Sequence, residues 1–167
     1  LGSGGGLTMR KTGLILLVVF SLTGCIISAG TLGGFPTITF PISKRKITIA
    51  IDTLFVRHPE YKIPNKWKDL DNWSASGYGF LDSRIFYFKT SPEEMYYVSF
   101  YGDGNEKTQT DTTSIAISIR AISKGNPKWL LESDLTEIEK KRISDRFYKD
   151  VILKLEDYTK SKVTIDN

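Results

Sequence analysis

The sequence predicts an α+β domain: an antiparallel sheet of three or four strands with an N-terminal helix before it and a long C-terminal helix after it. Three observations lead there. Apolar residues recur at helical spacing at Ile47, Ala50, Ile51, Leu54 and Phe55, and again every fourth residue at Ile143, Phe147, Val151 and Leu155. Between these segments lie three runs rich in aromatic and β-branched residues, 78–89, 95–101 and 112–122. The turn signals between the runs, Ser91-Pro92 and Gly102-Asp103-Gly104-Asn105, are short, so adjacent strands are expected to be antiparallel.

The first helix is expected over 44–58, with Ser43 as its N-cap and Pro59 as its stop. Ile47, Ile49 and Ile51 also alternate as a strand would, but only the helical period continues through Phe55 and His58. Residues 59–76, with Pro59, Pro64, Trp67 and Trp73, read as a structured loop. In the strand region, the run 78–89 carries a potential bend at Asp82-Ser83, and 112–122 alternates cleanly. That alternation sets Ile115, Ile117, Ile119 and Ala121 on one face and Ser114, Ser118 and Arg120 on the other, so one face should be buried. The C-terminal helix opens with Thr136 and Glu139 at capping-box spacing, and its outer face mixes both signs of charge. Both helices are expected on one sheet face. A single domain over 41–160 and a tail over 161–167 account for the patterned sequence.

The first 40 residues have a different character. Met9-Arg10-Lys11 supplies a short cationic start, Gly13 to Leu22 an apolar run, and Thr23 and Gly24 small residues before Cys25. This is the order of a secretory signal peptide, here 9–24. The run of about ten residues is too short to span a hydrocarbon core, which needs roughly 20. Leu1 to Thr8 fits no part of such a signal and reads as an upstream extension or a linker. Residues 25–40, rich in Gly, Thr and Ser, are expected to form a flexible tether.

Leu22-Thr23-Gly24-Cys25 resembles the lipobox of bacterial lipoproteins, placed directly after the apolar run. The resemblance covers residues 9 to 25. It implies diacylglycerol on the sulfur of Cys25, cleavage of the Gly24-Cys25 bond and acylation of the new amino terminus. A single acyl chain, at about 0.8 kcal/mol per buried CH2, binds a membrane only marginally, whereas two or more anchor it stably. The implied location is the cell envelope, on the periplasmic face of the outer or inner membrane if the cell has both. Cys25 is the only cysteine, so no intrachain disulfide can form, and lipidation would convert the thiol to a thioether.

Composition excludes several classes. Hydrophobic residues at 40% and charged residues at 25% describe an ordinary globular chain. The pI near 9.1 suggests a nucleic-acid binder, but of the 23 Lys and Arg, Arg10 and Lys11 lie in the expected signal peptide. The remaining 21 face 19 Asp and Glu with no concentrated basic face, which argues against a nucleic-acid partner.

Few residues carry chemistry. His58, the only histidine, sits at a predicted helix end before Pro59, where an imidazole caps carbonyls or packs on neighbours. Gly102-Asp103-Gly104-Asn105-Glu106 offers oxygen ligands, but Lys107 breaks the every-second-position pattern of a calcium loop, so it reads as a hairpin turn. The carboxylate pairs Asp69 with Asp71 and Glu93 with Glu94 lie in expected loops beside Lys or Pro. No phosphate loop or nucleophile elbow is present, and no catalytic residue, cofactor or metal site is assigned. Lys44-Arg45-Lys46 reads as a solvated first helical turn close enough to the anchor to meet anionic headgroups.

The aromatics are more informative. Nine Tyr and Phe crowd the first two strands, and alternation sends about half to each face. If the helices cover only one face, the other displays Tyr87, Tyr97 and Tyr101 as a contact surface; alternatively the loop 59–76 folds over them with Trp67 and Trp73 to make a second small core. The function this supports is a membrane-anchored envelope lipoprotein acting as a binding or interaction module with a protein partner in the envelope. A toxin-neutralising immunity lipoprotein is one version of it. A hydrolase of envelope material is the competing class and would need convergent acids in a cleft.

Overall fold

A computed structural model describes residues 1–2, 35–78, 82–102 and 113–166. The expected signal peptide, Cys25 and the 103–106 turn lie outside these residues.

The first helix, α1 (Lys44–Arg57), begins where Ser43 accepts a hydrogen bond from the Lys46 amide and buries Ile47, Ala50, Ile51 and Leu54. His58 closes it, its amide donating to the Leu54 carbonyl. Three antiparallel strands follow the loop: β2 (Asp82–Phe88), β3 (Glu94–Gly102) and β4 (Ile115–Ser123). The C-terminal helix opens with the Thr136/Glu139 capping box as α2 (Glu137–Phe147), passes through a wider π turn at Tyr148–Ile152 and continues as α3 (Leu153–Thr159). The wide turn has a packing reason. A spacing of four slightly exceeds the 3.6 residues of an α-helical turn, so the stripe Ile143, Phe147, Val151, Leu155 would rotate away from the sheet. The wider turn rotates it back, and all four residues are buried.

The sheet is larger than the strand signals predict. Thr37–Phe40, assigned by sequence to the tether, is a strand (β1) that pairs with β4, and Phe35 is buried before it. Thr164–Asp166, assigned to the tail, is a strand (β6) that pairs with β1. A two-residue strand, β5 (Trp129–Leu130), pairs with β4. The order is β2-β3-β4-β1-β6. Because β3 runs along one edge of β4, β1 and β5 share the other edge, at opposite ends. The route to β6 depends on Glu156, whose buried carboxylate accepts from the Val163 amide at 3.0 Å and from Lys162 Nζ at 2.8 Å after Lys160 has turned the chain at φ 53°.

Both helices cover one face, as the patterning requires. Ile38, Phe40, Ile47, Leu54, Phe86, Tyr96, Val98, Ile117, Ile122, Ile143, Phe147 and Val151 belong to this main core. The alternation along β4 is broken, however. Tyr97 pairs with Ala121 and Val98 with Ile119, so Arg120 is an extra residue in a bulge. Ile119 and Ile122 therefore lie in the main core while Ala121 faces the other way, contrary to the face predicted from strict alternation.

Candidate interaction surface

The second sheet face is half covered. Ile85, Tyr87, Met95, Tyr97 and Ala121 form a smaller core packed by Ile63, Trp67, Leu70, Trp73 and Trp129. The loop reaches this face by passing around the β2 edge. Tyr61 still packs on the main core, its ring 5.6 Å from that of Phe88, whereas Ile63 already packs on the second core. Beyond that crossing, short helical turns at Asn65–Leu70 and Ser74–Tyr78 lay the tryptophans on the sheet, with Gly77 at φ 93° permitting the last turn.

Two of the three tyrosines expected to form a contact surface belong to this core. Tyr97 is 1% exposed and stacks on Trp73 with ring centroids 3.9 Å apart. Tyr87 is 7% exposed and donates its hydroxyl to Glu93 at 2.7 Å. The contact-surface assignment of Tyr87 and Tyr97 is therefore corrected: the tryptophan-bearing loop removes them from solvent, because a bare aromatic sheet face is more stable when covered. Tyr101 is different. It is 40% exposed, its hydroxyl lies 3.1 Å from Thr37 Oγ1, and the Arg120 guanidinium sits over its ring at 5.3 Å. The bulge presents Arg120 on this face, where its Nε donates to Ser99 Oγ at 2.7 Å. Thr37, Thr39 and Ala116 lie beside these two on the adjoining strands and are half-buried. This patch, Tyr101 and Arg120 with a threonine border, combines two of the three residue types enriched at binding hot spots.

The carboxylate pair Glu93 and Glu94, read from sequence as a loop pair, is structural and diverges. Glu94 begins β3 on the helix face and is fully buried. It receives both Arg142 Nη atoms, one at 2.9 Å from Oε2, together with Arg146 Nη1 at 2.9 Å and the Tyr96 hydroxyl at 2.8 Å. Burial pushes the Glu94 carboxyl up, but the two guanidinium groups and the phenol outweigh it and hold it below the ordinary range. Arg146 also donates to the Thr90 and Pro92 carbonyls, tying the β2–β3 turn to α2. Glu93 accepts from Lys66 Nζ at 2.6 Å, the Tyr87 hydroxyl and Trp67 Nε1 at 3.2 Å, and these donors lower its carboxyl to about 2. Desolvation and this hydrogen bond push the Tyr87 phenol up to about 12. The i, i+4 pair Arg142 and Arg146 beside the buried stripe was the available sequence signal for the Glu94 cluster.

The other candidates have local roles. The His58 ring lies 3.1 Å from the Glu60 carboxylate and 5.6 Å from the Tyr61 ring, consistent with a helix-end packing residue. Lys44 pairs with Asp82 at 3.3 Å, so one member of the basic triplet fastens α1 to β2. Two of the concavities among the described residues lie beside these elements. One of about 360 Å³ is apolar and lies where the chain enters the domain, between Phe35, Ile38, Ile165 and Phe147. The other, about 370 Å³, lies against β2 and is lined by Phe55, Lys62, Ile63, Lys68, Asp71, Ser83, Arg84, Ile85 and Tyr97. No protein-family model matches this chain, and no curated protein and no solved structure is significantly similar to it.

Proposed function

We propose that this protein is a lipid-anchored cell-envelope lipoprotein whose domain acts as a binding or interaction module, held to a bacterial membrane through Cys25. The observation that carries the reading is the order Met9-Arg10-Lys11, apolar run, Leu22-Thr23-Gly24-Cys25. The domain adds a compatible surface. Tyr101 and Arg120 present an aromatic ring and a guanidinium beside Thr37 and Thr39, a combination suited to recognising a protein. The adjacent acids are consumed by structural partners: buried Glu94 by Arg142 and Arg146, partly exposed Glu93 by Lys66, Tyr87 and Trp67. That favours an interaction module over an envelope hydrolase.

Fractionation of cells producing the wild-type chain and Cys25→Ala tests the anchor. The wild type should partition with membranes and Cys25→Ala should not. Equal membrane recovery of the two would reject the lipid anchor. Crosslinking with wild type and a Tyr101→Ala, Arg120→Ala double variant tests the surface, which is wrong if the folded variant captures the same partners in the same yield.

A further inference from the structure

The concavity against β2 is lined from both sides of the sheet. Phe55 belongs to α1 in the helical layer, whereas Ile63 and Tyr97 belong to the second core, and Ser83, Arg84 and Ile85 lie on the strand itself. Side chains from opposite faces can meet in one concavity only across a strand edge, so it straddles the outer edge of β2. β2 is the terminal strand of the sheet, and β3 is its one strand partner among the described residues. The loop crossing between Tyr61 and Ile63 protects the Phe88 end of this edge. The other end is more open: Asp82, Ser83 and Arg84 are partly exposed while Ile85–Phe88 are buried. Natural sheets normally cover or charge such an edge, because its unpaired backbone groups template another strand.

We propose that this edge is a docking site for an extended, acidic segment of a partner protein, which adds to the sheet beside β2. Backbone pairing would supply affinity, and the concavity would receive alternate side chains. The acidic character follows from the charges. Lys62 and Lys68 are exposed on the rim and have no carboxylate partner among the described residues, whereas Arg84 is already paired with Asp82 at 3.0 Å. Only Asp71 opposes the two lysines among the lining residues. The edge also adjoins the Tyr101 patch, because Ser83 pairs with Ser99, which in turn holds Arg120. One partner could therefore span both. The inference deepens the reading of the domain as an interaction module and does not depend on lipid at Cys25.

The test uses the full chain in detergent micelles and a labelled peptide of alternating Val and Glu, matched to the seven residues of β2. Two control peptides have alternate backbone amides N-methylated, or Lys in place of Glu. The acidic peptide should bind and slow hydrogen exchange at the amides of residues 82–85. Both controls should bind about tenfold more weakly or worse, since one lacks backbone donors and the other repels the lysines. A Lys62→Glu, Lys68→Glu double variant should reverse the preference towards the basic peptide, a gain that misfolding cannot produce. No binding of the acidic peptide, equal binding of the N-methylated one, or protection away from β2 would overturn the proposal. The Cys25→Ala chain should bind the acidic peptide as the wild type does, so a failed anchor and a failed edge site give different results.

Discussion

Glu93 and Glu94 are consecutive residues whose carboxylates fasten opposite layers onto the same sheet. Glu94 turns to the helical layer and holds Arg142 and Arg146 of α2; Glu93 turns to the other face and holds Lys66, Trp67 and Tyr87. The start of β3 makes this possible, because successive side chains of a strand point to opposite faces. One dipeptide therefore couples the C-terminal helix, the tryptophan-bearing loop and the β2–β3 turn.

The two acids should differ in what their loss costs. Glu94→Gln leaves two guanidinium groups without their buried counter-ion, and breaking a buried pair in this way costs about 3 kcal/mol, the lower end of the usual range because Arg142 still reaches water. Glu93→Gln should cost about 1 kcal/mol, since a partly exposed amide oxygen can still accept from Tyr87 or Trp67. Chemical denaturation of the two variants measures both, and equal losses would contradict the division of roles.

Acid should weaken the fold through the same pair. Both carboxyls are held below their ordinary value in the folded chain, so their contribution is fully present above the unfolded value of 4.5 and is lost as pH falls. For Glu93 the loss falls between about 4.5 and about 2. Melting temperature followed from pH 7 downward should drop through that window, and Glu93→Gln should show a shallower drop. Parallel pH profiles would remove Glu93 as a contributor.

Tyr97 and Tyr101 occupy the same face of β3 but should respond oppositely to truncation. Tyr97→Ala empties a site beneath Trp73 and should cost about 3–5 kcal/mol, while half-exposed Tyr101→Ala should cost less than about 1 kcal/mol. Trp73 fluorescence should also shift to the red in Tyr97→Ala as its stacking partner is removed. A large loss in Tyr101→Ala would make it a core residue and remove it from the contact surface.

The long-period signals were legible and the short ones were not. Ser43, Pro59 and the Thr136/Glu139 box mark helix boundaries because capping is local chemistry, written within a few residues. β1 was hidden in a Gly and Thr-rich stretch because four residues of alternation are too few to stand out, and its pairing with β4 links positions some eighty residues apart. The Arg120 bulge could not be read at all, since an extra residue in a strand leaves composition unchanged and only shifts the faces. At the candidate site, Trp67 and Trp73 signalled a second core, but choosing between a covered and an open aromatic face required the path of the loop around β2.

Strand β1 offers a direct check on where the domain begins. A chain starting at Phe35 retains the pairing of β1 with both β4 and β6, whereas one starting at Pro41 loses that strand and the buried Phe35, Ile38 and Phe40. The shorter chain should lose cooperative unfolding, because the main core would be opened along β4. Similar melting of the two chains would show that β1 contributes little.

Intact mass of the protein extracted from membranes tests the lipid anchor most directly. The predicted species begins at Cys25, lacks residues 1–24, and carries diacylglycerol on the Cys25 sulfur with or without a further acyl chain on the new amino terminus. A mature chain that begins elsewhere, or one with an unmodified Cys25 thiol, would contradict the anchor.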